Sequence, residues 1–249
     1  MRAALLFLVF VSSASGGVIR HDVGDSSYTG LSYELQFAAT GLQNGCSATL
    51  IHSEWVLTAA HCVNVANPAS HSFRLPSLSA VPVSEVHVPT GWTGDINDGY
   101  DIALLKLSTP ILSVAPANLY RGSSELGSEI TVVGYGYTGT GQTGSNTTTR
   151  NRHAGNNIVD AFAAFDGMGG IGVTTDLSLT TSTGLLWDFD SPADDPEHAN
   201  TNSMADFVAS SANPLALEYS IAPGDSGGGS YIFENNEWYL SGVTSGNVD

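Results

Sequence analysis

Trp55-Val-Leu-Thr-Ala-Ala-His61-Cys62, Tyr100-Asp101-Ile-Ala-Leu-Leu-Lys106-Leu107 and Pro223-Gly-Asp-Ser226-Gly-Gly-Gly229 decide how this chain reads. They supply a histidine, an aspartate and a serine, in that order along the chain. A serine hydroxyl is a weak nucleophile at neutral pH. It attacks a carbonyl only when an imidazole takes its proton and a carboxylate fixes the imidazole's tautomer. The glycines around Ser226 let the backbone turn tightly and come close to a substrate. The three residues therefore predict a serine hydrolase, with Ser226 as nucleophile, His61 as general base and Asp101 as its orienter. The α/β-hydrolases carry the same groups in the order Ser, Asp, His, so their architecture is disfavoured.

Working outward, short β-rich segments alternate with Gly, Ser, Thr, Asn and Pro turns, the pattern of an all-β barrel or sandwich. Cys46–Ile51, Val83–Val88, Ile102–Leu107, Ile130–Tyr135 and Trp238–Val243 read as strands, and no solenoid or heptad repeat interrupts them. Ser108–Ser128, with Pro110 and Pro116, reads as a connector between two halves. Met1-Arg2, the apolar run Ala3–Val11 and the small residues Ser12–Gly16 read as a secretory signal peptide ending near residue 17. An exported protein is expected, extracellular or, in a Gram-negative bacterium, periplasmic. No later run is apolar for long enough to form a membrane helix.

The chain of 249 residues carries 24 acidic and 7 basic residues, a net charge of −17. That balance argues against nucleic acid or an anionic membrane as partner. An export route makes a disulfide between the two cysteines, Cys46 and Cys62, plausible; a metal pair is disfavoured because no second Cys/His cluster accompanies them.

The three stretches, together with Val132-Val-Gly-Tyr-Gly136, closely resemble the trypsin/chymotrypsin-like serine peptidases. The likeness runs from about Leu31 to the end, broken by an insertion over roughly 138–212. It implies two six-stranded antiparallel β-barrels: residues 18–125 carrying His61 and Asp101, and residues 126–249 carrying Ser226. The active site then falls in the cleft between them. The resemblance also implies a Cys46–Cys62 bridge closing the histidine loop, and having one bridge is similar to a minimal, bacterial-style member. Family members continue beyond the strand that Leu240–Gly246 resembles. The second barrel is therefore expected to be incomplete at Asp249, or to close differently.

By the same resemblance the backbone N–H groups of Gly224 and Ser226 form the oxyanion hole. Asp225 pairs with an N-terminal ammonium freed near Val18 or Ile19. Ser220 floors the substrate pocket, while Thr244, Ser245 and Gly246 line its backbone edge. An uncharged Ser220 implies an apolar P1 residue, and a Glu218 reaching the pocket would favour a basic one. Protein or peptide substrates, a monomer and no cofactor or metal are expected. The alternative is a non-catalytic homologue that binds a partner in the same cleft. Two features lie outside the motifs: an Asn146-Thr147-Thr148 sequon, and Trp187–Glu197 with five carboxylates in eleven residues. The spacing of that acidic stretch matches no EF-hand, so it reads as a solvated loop rather than a calcium site.

Overall fold

The computed structural model describes residues 17–148, 150–165, 171–175, 183–192, 208, 210–211 and 213–246. Its strands are β1 Gly17–Ile19, β2 Thr40–Gln43, β3 Cys46–His52, β4 Trp55–Thr58, β5 Ser72–Arg74, β6 Val81–His87, β7 Ala103–Leu107, β8 Glu129–Gly134 and β9 Thr138–Thr140. They continue with β10 Gly144–Thr147, β11 His153–Ile158, β12 Ala161–Phe165, β13 Ile171–Thr174, β14 Thr183–Leu186, β15 Tyr219–Ser220, β16 Gly229–Glu234 and β17 Glu237–Val243. One α-helix, α1, spans Asp25–Ser32. The signal-peptide reading over residues 1–16 and the end of the acidic stretch, residues 193–197, lie outside the described residues.

Strands β2 to β7 close into a barrel in the order β2-β3-β4-β7-β6-β5. Alternation along these strands sends Ala48 and Leu50 of β3, Val56 of β4, Phe73 of β5 and Leu105 and Leu107 of β7 into one buried cluster. The second half shows no closed barrel among the described residues. Among the described residues it forms a sheet β11-β8-β16-β17, a sheet β10-β9-β1-β15 and a small sheet β13-β12-β14. The last lies wholly within the insertion.

Residues 17–37 do not follow the division expected at the start of the chain. Strand β1 pairs Val18 with Ser220 and runs parallel to β9, so the N-terminal segment belongs to a second-half sheet. Tyr28 on α1 packs with Ile130, Val132 and Tyr219. Helix α1 is composed of residues with little helical preference, and its N-cap, Gly24, makes no side-chain cap. Tertiary contacts hold it: Asp25 accepts from His153 Nε2 at 2.8 Å, and Ser32 Oγ donates to the Arg152 carbonyl at 3.1 Å.

The 108–128 connector touches both halves. The Ala117 amide donates to Leu50 O at 2.9 Å, and Leu240 and Asn118 are joined through Leu240 N–H at 2.7 Å. No helix among the described residues is long and apolar enough to cross a membrane.

Cys46 and Cys62 form the disulfide, 16 residues apart, linking the start of β3 to the turn after β4. Closing a loop of that length restrains the unfolded chain by about 3 kcal/mol in the loop-entropy account. The double variant Cys46→Ala/Cys62→Ala should lower unfolding free energy by about 2–4 kcal/mol in denaturant titration. A loss below about 0.5 kcal/mol would show that the barrel alone fixes this loop.

Candidate active site

His61 sits in a single 3-10 turn, Ala60–Cys62, at the end of β4. Buried Ala59 and Ala60 anchor the turn on one side and the Cys46–Cys62 bridge on the other, while the imidazole stays partly exposed. Asp101 enters β7 from a tight turn. Tyr100 carries φ 60°, a left-handed conformation rare for an aromatic residue, and Ile102 N–H closes on Tyr100 O at 2.7 Å. This strain turns the carboxylate onto the histidine. Asp101 Oδ1 accepts from the His61 amide at 2.8 Å and Oδ2 lies 2.7 Å from His61 Nδ1. The ring is thereby held with Nε2 directed away from Asp101.

The Asp101 side chain is only 5% exposed. Burial works to raise its pKa, but hydrogen bonds from His61 and Ser245 outweigh it and hold the carboxyl below the usual carboxylate range. The Ser245 donor was not anticipated. Sequence reasoning gave Ser245 to the substrate edge, whereas its hydroxyl donates to Asp101 Oδ2 at 2.5 Å. A serine one residue from a glycine carries no sequence signal that distinguishes the two roles.

Ser226 lies in a turn tied by Asp225 N–H to Ala222 O at 2.8 Å and Gly228 N–H to Asp225 O at 2.7 Å. Gly227 must be glycine. Its φ is +82°, and a Cβ would come within 2.1 Å of Ser47 O and Thr58 Oγ1. The amides of Gly224 and Ser226 have no acceptor among the described residues. The Ser226 hydroxyl donates to Ser245 O at 3.2 Å.

The turn is fastened to the barrel by Ser47, which sequence reasoning missed. Ser47 N–H donates to Ser226 O at 2.7 Å, and Ser47 Oγ donates to Gly224 O and accepts from Tyr135 N–H, both at 2.8 Å. One side chain of β3 thus sets the Ser226 turn relative to His61.

Asp225 is fully buried beneath this turn. Its oxygens accept from Gly136 N–H at 2.7 Å, Ala222 N–H at 2.9 Å and Tyr219 OH at 2.9 Å. Burial pushes its pKa up to about 6 against the pull of those donors. Gly136 is required by close approach, since a Cβ there would lie 2.3 Å from Asp225 Oδ2.

The remaining expected pocket residues are dispersed. Ser220 is half-buried on β15 opposite Val18. Thr244 is buried and pairs its backbone with Gly227 and Gly228. Gly246 is exposed beside Ile96. Glu218 turns its carboxylate to Leu215 N–H at 2.7 Å and lines a separate cavity that none of the three catalytic candidates touches. Among the described residues, Cys46, His61 and Cys62 are the one trio of potential metal ligands within 4.8 Å of each other. A disulfide has no thiolate to offer, so they are not a metal centre.

The trypsin family model matches residues 22–176, more than half of the chain. That span contains His61 and Asp101; Ser226 lies beyond it. Snake venom serine proteinases 5 and 8 of Crotalus adamanteus and the snake venom serine protease catroxase-2 of Crotalus atrox are each 33% identical to this chain over 100 residues. Each match covers 36% of this chain and 38% of the relative, so it spans well under half of those proteins.

Two measurements test the site's construction. Ser47→Ala removes two hydrogen bonds in a buried junction and should cost about 1–3 kcal/mol in thermal or denaturant unfolding. Asp101→Asn should be less stable than the native chain near neutral pH. Because the folded Asp101 pKa is depressed, its stabilisation is complete above the unfolded value of about 3.9 and is lost as pH falls through the folded value. The stability gap between native and Asp101→Asn chains should therefore close on acidification below about pH 4. A gap that persists to about pH 2 would remove the ionised carboxylate as its cause.

Proposed function

The chain belongs to the trypsin family of serine peptidases, and from that premise we propose that it is an exported endopeptidase that hydrolyses peptide bonds through an acyl-enzyme on Ser226. The observation that carries this reading is the two-point contact of Asp101 with His61, through amide and ring together. Such a contact serves a base that must present Nε2 and become an imidazolium. In the proposed cycle the Ser226 hydroxyl leaves Ser245 O, gives its proton to His61 Nε2 and attacks the scissile carbonyl. The amides of Gly224 and Ser226 receive the oxyanion. His61 then protonates the leaving amine, and water repeats the sequence to release the acid.

The division into a first barrel over 18–125 and a second over 126–249 belongs to this proposal, supported by the closed barrel of β2 to β7. So does the pairing of Asp225 with a freed N-terminal ammonium. Its support is the position of Gly17, where a Cβ would lie 3.2 Å from Asp225 Oδ2. An apolar P1 preference is supported by the uncharged Ser220 and by Glu218, which faces its own cavity. The venom origin in the relatives' names and the disulfide support action outside the cell. Proteins or peptides are the proposed substrates, taken by a monomer without nucleic acid or membrane. One observation favours the second reading, a binding homologue: the Ser226 hydroxyl rests on Ser245 O.

Labelling with a fluorophosphonate separates the two readings. A stable adduct on Ser226, absent in Ser226→Ala and reduced at least about a hundredfold in rate in His61→Ala, is the result expected of a peptidase. No adduct on the native chain would favour the binding homologue. In peptide libraries, Phe, Tyr or Leu at P1 should exceed Arg by about tenfold or more, and Ser220→Asp should reverse that order. Unchanged selectivity in Ser220→Asp would take Ser220 out of the pocket.

A further inference from the structure

The described part of the acidic stretch, expected to be solvated, is not. Asp188 and Asp190 are buried, and with Asp160 and Glu218 they surround a cavity of about 70 Å³ rimmed by Ser211 and Asn213. Three separate chain segments converge there: the end of β11 with the turn after it, the run following β14, and the approach to β15. Asp190 is 7% exposed and Glu218 2%.

Carboxylates this buried need donors or cations. Glu218 has the Leu215 amide. Among the described residues Asp190 Oδ1 has no hydrogen-bond partner, although its residue lines the cavity. No cation among the described residues reaches in. Arg20 is the guanidinium whose charge Glu218 feels, but it gives Nε and Nη2 to Asp22 and Nη1 to Leu215 O. Burial first, and the neighbouring carboxylates with it, push Asp160 up to about 6, Asp190 to about 7 and Glu218 to about 8. These upward shifts are what an uncompensated cluster produces.

We propose that Asp160, Asp188, Asp190 and Glu218 form a calcium site, with Asp190 Oδ1 as its central ligand. The donors are hard oxygens without nitrogen or sulfur, which suits calcium rather than zinc or copper. No three of these carboxylates bring oxygens within 4.8 Å of one another, so the ion keeps water in its shell. Calcium accepts 6–8 oxygens in flexible geometry, whereas magnesium demands a tight octahedron. A cavity of about 70 Å³ has room for an ion with a few waters. The bound ion would cross-link the insertion to the segment leading into β15. This site stands independently of the peptidase reading.

Trp187 precedes Asp188 in the chain and gives a direct readout through sensitised terbium emission. The full chain, stripped with EDTA, is titrated with terbium chloride and then with calcium chloride. Saturable emission displaced by calcium, and not by the same concentration of magnesium, is expected. Asp190→Asn, which keeps the side chain's shape, should weaken calcium competition at least about tenfold, while Glu54→Gln in the half-buried turn between β3 and β4 should leave it unchanged. As a second measurement, calcium should raise the melting temperature of the native chain, with the rise lost in Asp190→Asn. A native chain whose melting temperature ignores ~1 mM calcium, or an Asp190→Asn chain with native calcium affinity, overturns the proposal.

Discussion

The buried carboxylate of Asp225 is the constraint on which the geometry of the Ser226 turn depends. It lies directly beneath Ser226 and is satisfied by three donors: a β8–β9 connector amide, an amide of its own turn and the Tyr219 hydroxyl. These donors come from different parts of the second half. Moving any of them would strand a charged group in a fully buried position, at a cost of several kcal/mol. The turn that opens the Gly224 and Ser226 amides is therefore held from below. It does not depend on His61 or Asp101 for its shape. Gly136 exists to let a backbone amide approach that carboxylate, which is a different requirement from the conformational one at Gly227.

Ser47 transmits this geometry to the barrel. Its amide and hydroxyl bind carbonyls on both sides of Asp225, and its hydroxyl also receives Tyr135 N–H. Thr58 Oγ1 in turn donates to Ser47 O at 2.8 Å, tying the same point to the strand that leads into the His61 turn. His61 and Ser226 thus belong to opposite halves yet share one small hydrogen-bonded junction. Ser245 closes the arrangement by touching both Asp101, through its hydroxyl, and Ser226, through its carbonyl.

Much of this was legible in the sequence because local pattern and global structure agree. The segments read as strands around Cys46, Val83, Ile102, Ile130 and Trp238 coincide with β3, β6, β7, β8 and β17 to within about two residues. The His61 and Asp101 contexts also led to residues that meet. What stayed hidden was set by tertiary contact. Helix α1 has no apolar stripe to announce it and forms because Tyr28, Asp25 and Ser32 find partners more than a hundred residues away. Strand β1 looked like the start of the first barrel because sequence distance to Ser220 conceals their pairing. The burial of Asp188 and Asp190 runs against every compositional rule for acidic loops, which assume water as the only partner.

The treatment of buried charge separates that last cluster from the rest of the molecule. Arg152, the buried cation of the interior, spends Nη1 on Ser32 O and Nη2 on Phe37 O, at 2.6 Å for the latter, rather than on a carboxylate. Asp225 likewise relies on amides and a phenol. Both charges are met by fixed dipoles, which buried chain can supply without a counter-ion. Asp160, Asp188, Asp190 and Glu218 are met that way only in part: Glu218 accepts from the Leu215 amide, while Asp190 Oδ1 has no partner among the described residues. They face one another, so each dipole turned toward one leaves its neighbours' repulsion in place. Chain-wide, 7 basic residues are set against 24 acidic ones, which leaves few cations to share. The compensation must then be a proton or an ion from solution. A single proton relieves one carboxylate, whereas a divalent ion relieves several at once and supplies the partner that Asp190 Oδ1 lacks.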